Sequence, residues 1–310
     1  MVKANMEMAQ LLGIKEMTFS IYRFGGRLDI EVKRGEQWSE MLNALKPKLQ
    51  AIANLFPQQE EQKGVSVYWN ENSARHARYV KNLSKPIFLF RNRAWDNVLP
   101  AMGIATRYGI GEINAFAGEN IECLSKEELE NVFSRAVLLD ARAAESLLLR
   151  GNGMLAGIVS RKDDVVASME IVEDKKYGDF KGDVINMRYT SRAWQFKFHK
   201  KVKRISYLAG YDGRERGHGV LLFENSLGGR VIIYPFDSQS PEVTSLGVSF
   251  KSLESPSFIC STRQSQIISA LEWASKSALP IVVTAHPFIS VSYTHLRAHE
   301  TPEHLVCRLL

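Results

Sequence analysis

Cysteine is scarce in this chain. Three occur in 310 residues, Cys123, Cys260 and Cys307, far apart and with no CxxC spacing. That pattern excludes a disulfide framework and a structural zinc site. Long hydrophobic runs are missing as well, because no stretch reaches the ~18 apolar residues of a membrane span. The opening MVKANMEMAQLLG has no continuous apolar core of a signal peptide, so no membrane partner and a cytoplasmic location are expected. Nucleic acid is not an expected partner: the net charge is +6 with a pI near 9.1, but zinc-finger spacing and RNP-like signatures are lacking. The densest basic cluster, His199 to Arg204, reads as a solvated strand end. The glycine pairs Gly109/Gly111 and Gly151/Gly153 have neither GxGxxG spacing nor a P-loop lysine, so no nucleotide site follows. No metal or other cofactor is expected. Internal repeats and low-complexity tracts are absent. At 45% hydrophobic and 24% charged, the chain suits one large globular domain or two ordinary ones.

The apolar runs that exist are short, and the chain is organised around two of them in GVLLFENSLGGRVIIYPFD, residues 219–237. Val220–Phe223 and Val231–Tyr234 are apolar on both faces, which places them inside a sheet. Asn225 and Gly228-Gly229 between them supply turn chemistry, and Pro235 ends the second strand. Upstream, EMTFSIY (16–22) reads as a strand and 23–35 as a loop. Asp29 and Glu31 alternate there as on a solvated edge strand. Trp38, Met41, Leu42, Leu45, Leu49, Ile52 and Phe56 predict a long helix that Pro47 kinks or splits. From Val65 to Arg150 strand and helix alternate: strands at 65–69, 104–108, 113–117 and 136–140, helices after Asn70 or Asn72, at 93–102, 126–133 and 141–150. Ser125 and Glu128 form a capping box. This alternation predicts a parallel sheet covered on both faces. Residues 157–209 are β-like throughout and read as an insertion; Trp194, Phe196 and Phe198 alternate on one strand face there, as core or as sugar-stacking rings. Tyr211–Arg214 is a turn. A helix at 262–275 and a strand at 280–284 close the pattern.

Residues 291–310, VSYTHLRAHETPEHLVCRLL, resemble the in-frame translation of a transposase-type sequencing adapter. His295, His299 and His304, two of them at the i,i+4 spacing of helix-borne metal ligands, are therefore not read as a metal site. The resemblance implies a C-terminally truncated fragment assembled from an environmental read.

AVLLDARAAESLLLRGNGMLAGI resembles the strand, Asp, helix, Gly-x-Gly segment of the glutamine-amidotransferase-like domain in large glycosidases. ENSLGGRVIIYPFD, the TRQSQIISALEWA helix and LPIVV resemble the end of that domain. EMTFSIYRFGG with MLNALKPKLQAIANLF is similar to the last strand and helix of a (β/α)₈ barrel. The group resembled is the β-galactosidase-like enzymes near glycoside hydrolase family 42. The implied fold is α/β: a flavodoxin-like, amidotransferase-like parallel sheet over 63–290 with a β-rich insertion near 160–216. It is preceded by a barrel remnant over 1–62.

That resemblance implies two catalytic carboxylates at the ends of earlier barrel strands, outside this chain. Only Tyr22, Arg23 and Phe24 remain as candidates to line a sugar pocket. It also implies a strand-to-helix elbow where amidotransferases hold a cysteine; here Asp140 and Ala141 stand at that turn. Cys123, Cys260 and His286 do not complete a thiol–imidazole pattern. The resemblance therefore implies a non-catalytic accessory part of a glycoside hydrolase that forms a homo-oligomer, with glycosides as the parent's substrates. The alternatives are a stand-alone carbohydrate-binding or assembly module and an amidotransferase- or protease-like enzyme.

Overall fold

The computed structural model describes residues 28–55, 63–76, 94–178, 181–236, 260–284 and 306–309, together with Met6. The chain divides into two compact units, Met1–Gln62 with Ser292–Glu300 and Lys63–Val291 with Thr301–Leu310. No helix among the described residues is long and apolar enough to cross a membrane.

In the first unit one helix, α1 (Leu28–Leu55), is described. Pro47 lies inside it without splitting it. Trp38, Met41, Leu42, Leu45, Leu49 and Ile52 form its sheltered stripe, as their spacing predicts, with Leu45 the most buried. The expected loop over 23–35 is helical from Leu28 onward, and Asp29 and Glu31 lie in the first turn of α1 rather than on a strand. The expected strand at 16–22 falls outside the described residues.

The second unit begins with β1 (Val65–Val67), α2 (Ser73–His76), α3 (Ala94–Ala101), β2 (Thr106–Tyr108), β3 (Ile113–Phe116), α4 (Lys126–Phe133), β4 (Ala136–Leu139) and α5 (Ala141–Leu149). It continues with β5 (Ile158–Val172), β6 (Val184–Phe198), β7 (Lys203–Arg204), β8 (Ser206–Ala209), β9 (Glu215–His218), β10 (Leu221–Glu224) and β11 (Arg230–Ile233). Then come α6 (Ser261–Ser275), β12 (Ile281–Thr284) and β13 (Val306–Leu309). Seven strands form a mixed sheet in the order β2-β1-β3-β4-β11-β10-β7. The first five are parallel; β10 and β7 are antiparallel to their neighbours.

The central strands are apolar at every position because both faces are covered. Leu138 and Ile232 point into one core with Val98, Leu99, Ile267 and Leu271 from α3 and α6. Val137, Leu139, Val231 and Ile233 point into the other, with Leu129, Phe133, Ala143 and Leu147 from α4 and α5. Alternate residues feeding opposite cores is the two-residue period of a strand. Helix ends follow their sequence signals: Ser125 and Glu128 complete the capping box of α4, and Gly103 and Gly151 follow α3 and α5 with φ of 70° and 78°.

The short link between β2 and β3 has to carry the chain from one side of β1 to the other. Gly111 makes this crossing against Ser66, and a Cβ at 111 would collide with the Ser66 hydroxyl. Asn114 pins the crossing, accepting from the Gly111 N–H and donating to its carbonyl, both at 2.8 Å.

The β-rich segment forms a separate antiparallel sheet, β6-β5-β8-β9, with β5 and β6 each 15 residues long. It is joined to the main sheet at β7, which pairs with β10 immediately before the chain enters β8. Phe196 is buried in the second core and Phe198 and Trp194 pack against it, so the face they share is a core face. β12 forms where a last strand is expected; it pairs antiparallel with β13 and bridges Ile104 through Val282.

His218, at the end of β9, is a pH-sensitive element of this sheet. Its Nδ1 is buried without a hydrogen-bond partner, and its ring meets Phe198 edge-on at 5.8 Å. Burial, then the charges of Arg204 and Lys162, lower its pKa from 6.5 against the weaker pull of Glu215 and Glu173. Below about pH 6.5 the unfolded chain binds a proton that the folded chain resists, so stability falls as the pH drops. The melting temperature is expected to decline on acidification from pH 7 to pH 5 more steeply than in His218→Phe; identical slopes would remove this role.

Candidate functional site

In an open parallel sheet, ligand sites form outside the carboxyl ends of the strands, and the elbow candidates lie at that edge. β4 ends at Leu139, and Asp140 opens α5 as its N-cap. Its carboxylate accepts from the Ala143 N–H at 2.7 Å and from the Gly118 N–H at 3.1 Å, the latter through both oxygens. Its own N–H donates to the Phe116 carbonyl, and Ala141 donates to Phe236. Asp140 is 2% exposed and Ala141 fully buried. The elbow residue therefore closes a helix start and ties the ends of β3 and β4 together. It faces no solvent from which a substrate could approach.

Beside it a buried ion pair joins Arg142 on α5 to Glu119 in the short 3-10 segment Gly118–Cys123, at 3.1 Å. The guanidinium of Arg142 stands 5.4 Å from the Trp194 ring centroid, and that of Arg161 stands 4.8 Å from it. Arg161 is in turn held by Glu145, at 3.1 Å, and by Asp164. Trp194 is partly buried against the second core, with both guanidiniums near its ring.

The two described thiols lie at helix ends. Cys260 caps α6, its Sγ accepting from the Arg263 N–H at 3.4 Å. Cys123 ends the 3-10 segment, where burial and then Glu122 push its thiol pKa up against the opposing charge of Arg150. A raised pKa keeps it protonated and a poor nucleophile at neutral pH. His76 approaches Glu122 at 3.5 Å, and among the described residues no hydrogen bond joins either thiol to an imidazole. Nor does any group of three or more His, Cys, Asp or Glu among them have the geometry to hold a metal. Tyr22, Arg23, Phe24, His286, His295, His299 and His304 lie outside the described residues.

A second polar constellation was not singled out from the sequence. Glu170 of β5 and Arg263 of α6 are both fully buried and meet at 2.7 Å. The other Glu170 oxygen accepts from Gln266 at 2.8 Å and from the Ser206 hydroxyl at 2.6 Å. Arg263 and Tyr234 both donate to the Gln266 carbonyl oxygen, at 2.6 and 3.2 Å. Burial pulls the Arg263 pKa down, but Glu170, Tyr234 and Cys260 together hold the guanidinium above its usual value; burial pushes the Tyr234 phenol up. Fully buried, the network ties the β-rich sheet to the α/β core.

No family model matches the chain, and no curated protein matches it. Among solved structures it is similar to α-L-fucosidase isoenzyme 2 from Paenibacillus thiaminolyticus, at 8% identity and a TM-score of 0.46, over 72% of this chain and 35% of that one. It is also similar to the exo-β-1,4-mannosidase Op5Man5 from Opitutaceae bacterium strain TAV5, at 14% identity and a TM-score of 0.39, over 74% of this chain and 39% of that one. Both are named as glycosidases, and the chain spans well under half the length of either.

Proposed function

We propose that this chain is a non-catalytic accessory and oligomerisation part of a β-galactosidase-like glycoside hydrolase, built on an amidotransferase-like domain. The observation that carries this reading is the elbow. Where an amide-cleaving relative needs a thiol, the side chain is a buried carboxylate whose oxygens are committed to the N–H groups of Ala143 and Gly118. The order β2-β1-β3-β4-β11 follows the 2-1-3-4-5 pattern of flavodoxin-like sheets, in keeping with the same reading. So does the pairing of the two segments that carry the resemblance: Val137 of AVLLD lies opposite Val231 of LGGRV, in parallel strands at the centre of the sheet.

In the parent, Tyr22, Arg23 and Phe24 line the sugar pocket and the hydrolytic carboxylates come from barrel strands outside this chain. The purified chain is expected to release no nitrophenol from nitrophenyl glycosides and to run as a homo-oligomer in size exclusion with light scattering. Turnover that survives replacement of both Cys123 and Cys260 by alanine would point to a glycosidase centre within the chain. Turnover on amide substrates lost in the same variant would restore the amidotransferase-like enzyme, and a monomer would end the assembly role.

A further inference from the structure

We propose that the β8–β9 turn is a carbohydrate-binding subsite, in which a sugar ring stacks on Tyr211 and its hydroxyls meet the Asp212–Arg216 pair. β8 stops at Ala209, opposite Met169 of β5, while β5 runs on past it. The step leaves an open depression of about 660 Å³, walled by Val165, Val166 and Ser168 of β5, by the turn residues Gly210, Tyr211 and Asp212, and by Arg216 of β9. That volume is within the usual range of small-molecule sites.

Tyr211 is 74% exposed, the most exposed large apolar side chain among the described residues, and Val166 beside it is 54% exposed. The ring does not sit on a floppy tip. Gly210 donates to the Arg214 carbonyl at 3.1 Å, Gly213 to the Gly210 carbonyl at 2.9 Å, and the Arg214 N–H to Asp212 Oδ1 at 3.1 Å. Gly213 takes the φ of 72° that this turn requires. Because the turn backbone that presents the ring is fixed in advance, little backbone entropy is lost when a flat ligand settles on it.

The polar half of the subsite is a solvent-facing ion pair. Arg216 Nη2 donates to Asp212 Oδ2 at 2.9 Å, setting a carboxylate acceptor beside guanidinium donors. Neighbouring sugar hydroxyls, which both donate and accept, match that pairing. Gly210 is the floor beneath it: a Cβ there would stand 2.8 Å from Asp212 Oδ1 and 2.9 Å from Arg216 Nε. Wide opening, one apolar face and one donor–acceptor pair suit a ligand that stays largely hydrated. The same features disfavour a nucleotide, which needs a phosphate cradle, and a lipid, which needs enclosure.

The subsite does not depend on the parentage proposed above, because its test reads binding and neither turnover nor assembly. The full chain is titrated with short neutral β-linked galacto- and manno-oligosaccharides and followed by NMR at the Gly210–Arg216 amides. Saturable shifts are expected there. Tyr211→Ala should weaken binding about tenfold or more with an unchanged melting temperature; Tyr211→Phe should retain binding, and Arg216→Gln should weaken it at unaltered stability. The proposal is overturned if no oligosaccharide moves these amides, if Tyr211→Ala and Arg216→Gln bind as well as the parent chain, or if an extended peptide of unrelated sequence moves them instead.

Discussion

Replacing Arg263 with methionine is expected to remove about 3–5 kcal/mol of folding stability from the second unit, seen as a lower midpoint in urea unfolding. The size follows from what the substitution leaves behind. Glu170 is fully buried, and Arg263 is its cationic partner at 2.7 Å. With that partner gone, the carboxylate keeps the Gln266 and Ser206 donors but loses the charge that offsets its desolvation. A methionine fills much of the vacated volume, so a cavity contributes little to the loss. The double variant Arg263→Met/Glu170→Gln removes the buried charge along with its partner. It should recover about 1–3 kcal/mol relative to additivity of the two single changes. Hydrogen exchange should rise first across β5 and β8, the strands this network holds against α6. Additive single and double variants, or loss confined to α6, would mean that the pair does not carry the weld.

Features with a local cause were legible in the sequence. The capping box needs only Ser125 and Glu128, the hairpin only Asn225 and two glycines between apolar runs, and the two-sided sheet only strands without a polar face. Leu28 as the start of α1 was misread because two alternating acidic residues fit a strand edge as well as a helix start. The buried weld was half visible. Arg263 falls on the same helix stripe as Ile267, Ala270 and Ala274, and Glu170 alternates with the inward Ser168 and Val172. A charge at an inward position asks for a partner, but 93 residues separate the two, and only the topology brings them together. The strand-to-helix turn at Asp140 is where the sequence places it, between β4 and α5. What its carboxylate does depends on Gly118, which approaches from the end of a different strand. Trp194, Phe196 and Phe198 show the limit of pattern: alternation says that three rings share a face, and packing alone decides whether that face meets core or solvent.

The hairpin provides the second large effect, through two adjacent glycines that behave differently. Gly228 has φ of 81° and open space where a Cβ would stand. Gly228→Ala therefore costs only the strain of a left-handed backbone, about 1–2 kcal/mol. Gly229 lacks the positive φ but has no room: a Cβ there would run into the Phe133 carbonyl and lie 2.6 Å from the Arg135 carbonyl. These are backbone atoms at the end of α4 and the approach to β4, so no side chain can swing aside. Asn225 fixes the turn in that position. Its Nδ2 donates to the Phe133 carbonyl at 2.8 Å and to the Leu155 carbonyl at 3.2 Å, while its oxygen accepts from Leu227 and Gly229. To admit a methyl group at 229, β11 would have to leave its register with β4, Val231 opposite Val137 and Ile233 opposite Leu139, the pairing at the middle of both cores. Gly229→Ala is accordingly expected to cost about 3 kcal/mol or more and to depress the melting temperature well beyond Gly228→Ala. The reverse order would mean that left-handed strain, rather than close approach to α4, is what demands glycine at this turn.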